Sequence, residues 1–251
     1  MHRAAFCVTS DLRAIFASSR WPNCAVLGPG DCGGTRELPR EKYLLKSPVI
    51  TRSFLSRKGL VLAIPKSYKG LKSQYDALDE DVRNFLSKLG PLLDDGKNYE
   101  IALAYCFMKL EEGHHRALKC GLVRIHDCDS ATVDQELQKQ HFTAEKYRSV
   151  FKNVFSKGIP SAAVENLNKA QKIRNNLIHG KATTDPKRRE AVYHAIEYMN
   201  AVGAFVKDSS GKNPYGDLRG LAGKRKLLPA KSTIWMLKGF GLGDKSPLSI
   251  A

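Results

Sequence analysis

Apolar side chains recur along the middle of the chain with a spacing near 3.6, and the polar residues between them fall on the opposite side of a helix. Leu71, Tyr75, Leu78, Val82, Phe85, Leu86 and Leu89 form one such stripe, which Gly90-Pro91 is expected to end. A second helix is predicted from Asn98 through Ile101, Leu103, Tyr105, Met108 and Leu110 towards Leu122. It is apolar on several faces, as the most buried member of a bundle would be, with Gly113 as its weak point. Ser130 is placed to cap a short helix. Thr143 caps a clearer one whose inner face is Tyr147, Val150, Phe151, Val154 and Phe155, with Gly158 after it.

Ser161, after Pro160, opens a helix carrying Val164, Leu167, Ala170, Ile173 and Leu177 and closed by Gly180. Asp185 as N-cap and Pro186 at the first helical position start the last one, with Val192, Ala195, Ile196, Met199, Val202 and Val206 as its stripe. Only Leu60 to Ile64 suggests a strand, and no internal repeat is visible. The pattern predicts an all-α antiparallel bundle of about five helices over residues 59–206. Residues 1–58 are then an irregular basic N-terminal flank, interrupted by Gly and Pro, and residues 207–251 a basic, Gly-rich C-terminal tail that includes the flexible Gly239-to-Gly243 stretch.

Charge sharpens this picture. The 251 residues hold 41 Lys plus Arg against 25 Asp plus Glu, a net of +16, which points to a polyanionic partner. Each flank carries a net +6. Within the bundle the excess collects between Lys169 and Arg189, where seven cationic residues stand against Asp185 alone. The longest apolar run is far too short to cross a bilayer, and no apolar leader follows the first basic residues, so a cytoplasmic, membrane-free protein with reduced thiols is expected. Residues 2–20 faintly resemble a transit peptide. Cys106, His114, His115, Cys120, His126 and Cys128 are dense enough to raise a zinc site, but they lack the paired knuckle spacing of one. No P-loop, dinucleotide fingerprint or serine elbow is present.

The basic stretch centres on Lys169-Ala-Gln-Lys-Ile-Arg-Asn-Asn-Leu-Ile-His179-Gly180-Lys181. Asn175 and His179, four apart, share a face, whereas Arg174 and His179 diverge by roughly 140° in a regular helix. They meet only if His179 sits at the helix end beside Gly180, or if a second chain completes the cleft. Arg174-Asn175-Asn176-Leu177-Ile178-His179 resembles the Arg-polar-x-x-x-His motif of HEPN domains, α-helical bundles of bacterial toxins, abortive-infection proteins and other RNA-targeting defence systems. The resemblance covers roughly residues 98–206 and is sharp over about ten of them. It implies a homodimer with facing motifs, and a ribonuclease site that needs no metal and no cofactor. Arg174, Asn175 and His179 are then the catalytic residues. From the local positive charge, Lys169, Lys172, Lys181, Lys187, Arg188 and Arg189 are expected to supply RNA contacts, and a toxin member of the family would have an antitoxin or regulatory protein as partner.

The chemistry suits these side chains. Cleavage by 2′-hydroxyl attack needs a base, an acid and a cation at the phosphorus. Histidine serves either proton-transfer role near neutral pH, and a neighbouring guanidinium disfavours the imidazolium while matching a phosphate in shape. Asn175 could orient the ring or the phosphate. The alternatives are a non-catalytic helical module that binds RNA or protein through the same face, and a metal-stabilised interaction domain built on the Cys/His cluster. His194, between two tyrosines, is expected to pack.

Overall fold

The computed structural model describes residues 64–94 and 96–243. The readings made for residues 1–58 and for Leu60 to Ala63 lie outside the described residues. The fold is all-α: nine helices and no strand occur among the described residues.

The first apolar stripe is three short helices, not one: α1 (Tyr68–Asp76), α2 (Glu80–Phe85) and α3 (Leu89–Leu92). Asp79 is the reason for the first break. Its Oδ1 accepts the Asp81 N–H at 3.0 Å and so starts a new helix where the periodicity alone continues the old one. Gly90-Pro91 lies inside α3 rather than ending the segment, since a proline in a first turn lacks only an N–H that has no helical partner there. Leu71, Leu86, Leu89 and Leu93 are fully buried, so the stripe still faces the core.

The two long helices form the centre. In α4 (Tyr99–Arg124) Leu103, Cys106, Leu110, Leu118 and Leu122 are buried, and in α8 (Asp185–Ser210) Val192, Ile196, Met199, Val202 and Val206 are. Around them pack α5 (Ser130–Gln138), α6 (Ala144–Phe155) and α7 (Ser161–Ile178). Several expected caps move by one residue. Asp129, not Ser130, caps α5, accepting Thr132 N–H at 2.8 Å and Thr132 Oγ1 at 2.7 Å; these bonds hold its carboxyl below the ordinary range. Pro160 and Thr184 precede α7 and α8, leaving Ser161 and Asp185 as first helical residues. Thr143 does cap α6, through Lys146 N–H, and the chain turns out of α6 at Ser156, two residues before Gly158.

The expected C-terminal tail is part of the fold as far as Leu242. Residues 211–229 lie over α4 and α8, α9 (Ala230–Gly239) packs beside α5, and Phe240 just after it accepts a hydrogen bond from Asn153 of α6, with Tyr215, Leu221, Leu237 and Leu242 buried. Gly113 is no weak point. A Cβ there would stand 2.9 Å from Tyr215 Cε1, and one at Gly203 would stand 2.8 Å from Cε2, so the two bare helix positions form the slot for the tyrosine. Arg116 fixes the loop around it, donating to the carbonyls of Pro214 at 2.6 Å and of Gly216.

Candidate functional site

The motif occupies the C-terminal end of α7 and the turn into α8. Hydrogen bonds run from Lys181 N–H to Asn176 O at 2.8 Å and from Gly180 N–H to Leu177 O at 3.0 Å, with Gly180 at φ 67°: a Schellman ending. His179 is the C-cap residue itself, and its N–H donates to Asn175 O at 3.0 Å. The helix is therefore regular through Ile178, and it delivers His179 to its last position with the side chain exposed.

Arg174 takes the other direction. Its guanidinium lies over the Phe107 ring of α4, 5.1 Å from the centroid, and is half-buried. Burial lowers its pKa, and the nearby Glu111 carboxylate opposes that shift. Neither Phe107 nor Glu111 is marked by sequence as a partner of the motif, because both belong to a helix that reads as core. Asn175 is exposed alongside His179.

The surrounding cations divide into two groups. Lys169, Lys172, Lys181 and Lys187 are exposed and enter no ion pair among the described residues. Arg188 and Arg189, read from sequence as RNA contacts, are engaged by the protein. Arg188 meets Asp185 at 3.0 Å, Thr183 Oγ1 at 3.0 Å and Glu100 at 3.8 Å; Arg189 Nε donates to Pro65 O at 2.9 Å. Their branched guanidinium forks satisfy several acceptors at once, which suits them to tie α8 to α4 and to the segment before α1.

His194 is buried against α7, with Nδ1 2.9 Å from Asn166 Oδ1 and Nε2 3.4 Å from Glu190. Burial pulls its pKa down against the pull of Glu190, and Lys169 pushes the same way as burial. The Cys/His group is dispersed into packing roles. His114 stacks on Tyr147 at 3.7 Å and shares a 2.8 Å hydrogen bond with Tyr198 Oη, and His126 Nε2 donates to Val154 O. Cys106, Cys120 and Cys128 are buried, their thiols pushed up to about 12, 11 and 11 by burial. No three His, Cys, Asp or Glu side chains converge on one point among the described residues, so the metal-stabilised domain has no centre there.

No protein-family model, curated protein or solved structure matches the chain. The site therefore stands on its own geometry. That geometry is an exposed imidazole at a Schellman-capped helix end, an exposed amide one turn before it, a half-buried guanidinium turned onto Phe107, and four exposed lysines along the same stretch of chain. No helix among the described residues is long and apolar enough to cross a membrane.

Proposed function

We propose that the protein is a metal-independent endoribonuclease of HEPN type, acting as a homodimer in a defence or toxin setting. The observation that carries this is His179, exposed at the Schellman-capped end of α7 within the Arg-Asn-x-x-x-His motif, in a stretch whose Lys169, Lys172, Lys181 and Lys187 are all exposed. The lysines raise the local concentration of a polyanion, and an exposed imidazole at a capped helix end is a proton-transfer group that water can reach. In a dimer one His179 takes the 2′-hydroxyl proton and the partner's His179 protonates the leaving 5′-oxygen, giving a 2′,3′-cyclic phosphate and a 5′-hydroxyl. Arg174 stabilises the charge on phosphorus, and Asn175 orients the phosphate. Ile101 and Met108, seven apart on α4, are exposed, as is Ile178 at the end of α7. The Glu100–Arg188 pair brings the start of α4 to the start of α8, and these exposed apolar groups are the ones a second copy would cover.

RNA incubated with the purified protein in EDTA tests the proposal, with His179→Ala in parallel and the oligomeric state read by sizing. Cleavage that leaves cyclic phosphate ends and vanishes in the variant supports it. An active monomer removes the two-histidine mechanism, and intact RNA removes the nuclease. A second reading, a module that binds RNA without cutting it, draws on Arg174: a guanidinium stacked on Phe107 is committed to packing as it stands. Tight, salt-sensitive RNA binding that survives His179→Ala, without cleavage by wild type, selects that reading.

A further inference from the structure

A second cationic surface lies on α9, away from the motif. From Leu218 to Gly243 the chain holds Arg219, Lys224, Arg225, Lys226, Lys231 and Lys238 and no carboxylate. Asp217 takes up Arg219 at 2.7 Å, and Asp127 takes up Arg225 at 3.0 Å. The four lysines are exposed and enter no ion pair among the described residues.

α9 is anchored along one side only. Thr233 Oγ1 accepts the Asp129 N–H at 2.9 Å, Leu237 is fully buried, and Phe240 lies 4.6 Å from the His126 ring. The opposite side carries Trp235, 80% exposed, the most exposed large apolar side chain among the described residues. Its indole borders an open groove of about 670 Å³ with Leu228, Lys231, Ser232, Met236 and Phe240. Gly239 lies in the same groove, and a Cβ there would meet nothing within 4 Å, so the space beside the indole is open. Lys231 precedes Trp235 by four residues and Lys238 follows it by three, which sets one ammonium on each side of the ring along one helix face.

A lone exposed apolar side chain is ordinary on a protein surface. This one differs because an open groove adjoins it and cations flank it, with no acid in the segment. An apolar partner would use the indole and the groove but leave the lysines unmatched. A duplex would match the lysines but keep its bases stacked away from the indole. We propose that the α9 face binds single-stranded nucleic acid, with a base stacked on Trp235 in the groove and neighbouring phosphates held by Lys231, Lys238 and the Lys224–Lys226 stretch. Stacking on an aromatic platform flanked by cations is a sequence-tolerant way to hold a single strand. The site shares no residue with the motif around His179.

The test uses the full chain with Trp21→Phe, so that Trp235 is the sole tryptophan, and the oligonucleotide dT12, which has no 2′-hydroxyl to be cleaved. Saturable quenching of Trp235 emission is expected, together with a roughly tenfold or greater loss of affinity in Trp235→Ala by anisotropy of labelled dT12. Trp235→Phe should retain most of the affinity. Lys231→Gln and Lys238→Gln should each lower the slope of log affinity against log salt by about 0.7. Binding without quenching, unchanged affinity in Trp235→Ala, or equal quenching by a duplex of the same length overturns the proposal. Stronger quenching by an acidic peptide than by dT12 also overturns it and makes the groove a protein site. His179→Ala should leave the quench intact, so this proposal and the nuclease fail separately.

Discussion

Tyr215 offers a sharp test of how the chain is assembled, because it comes from a segment with no helical periodicity and yet fills the centre. Its side chain is 5% exposed, its ring lies 5.0 Å from that of Phe85, and both flanks touch helix backbone at Gly113 and Gly203. Truncating a buried aromatic to alanine costs about 3–5 kcal/mol, so Tyr215→Ala should lose that much by urea denaturation followed at 222 nm. Gly113→Ala has two opposed effects. Alanine gains ~1 kcal/mol of helix propensity in mid-helix, but its Cβ would sit 2.9 Å from Tyr215 Cε1, overpacking of the kind that costs ~1–3 kcal/mol. With Tyr215 in place the net effect is a loss of up to ~2 kcal/mol. In the Tyr215→Ala background the clash is gone, and the same Gly113→Ala should turn stabilising by ~1 kcal/mol. The change of sign is the diagnostic, because only direct contact between the two residues produces it. Additive effects within ~0.5 kcal/mol, or a Tyr215→Ala loss below ~1 kcal/mol, would refute the slot.

Gly180→Ala places a Cβ in open space but at φ 67°, so it should cost ~1–2 kcal/mol through backbone strain alone, and Gly180→Asn less; equal urea midpoints for wild type and Gly180→Ala would exclude the Schellman ending. His114, with its pKa lowered to about 3 from the ordinary 6.5 by burial and by His115, binds protons more readily unfolded, so its contribution to stability is full above pH 6.5 and is lost as pH falls towards 3. That amounts to ~2 kcal/mol at pH 5, and His114→Phe should flatten the decline between pH 7 and pH 5; identical declines in variant and wild type would remove His114 as its source. Arg174→Met keeps an aliphatic stem on Phe107 and loses the charge, so it should stay within ~1 kcal/mol of wild type in stability while abolishing RNA cleavage; full cleavage by this variant would exclude a role for the guanidinium at phosphorus.

Much of the architecture is legible in sequence where a long amphipathic period sets it. The stripes of α6 and α8 read correctly because burial on those helices repeats every three to four residues over three turns or more, whereas on α4 Leu103, Leu110 and Leu122 are buried but Ile101 and Met108 are exposed. Legibility fails where one polar atom outweighs the period, as at Asp79, whose carboxylate restarts a helix in the middle of an unbroken apolar stripe. It fails again over residues 211–229, where Tyr215, Leu221 and the bonds from Arg116 to backbone carbonyls dock the segment without any helical period to detect. At the candidate site the motif and its place at a helix end are readable, since Gly180 and the following Pro186 mark the turn. The ring beneath Arg174 is not, because Phe107 lies on a distant helix and nothing local couples the two.

A run of positive charge in sequence also hides a division of labour that three dimensions separate. Arg116, Arg124, Arg188, Arg189 and Arg225 each donate to protein carbonyls or carboxylates, and several of these bonds join elements remote in sequence. The lysines around the motif and along α9 stay in water. The guanidinium is weakly hydrated and has a fork to share among acceptors, so folding uses it as a tie; the ammonium is strongly hydrated and stays at the surface. Under the two proposals, long-range attraction for a polyanion would rest on these lysines, through a salt-sensitive force that reads no sequence. Selectivity has to come from the groups the lysines surround: an imidazole held by a helix cap at one site, and an indole beside an open groove at the other. If both proposals hold, neutralising lysines should weaken every polyanion alike, whereas changing His179 or Trp235 should alter which nucleic acid is cut or held.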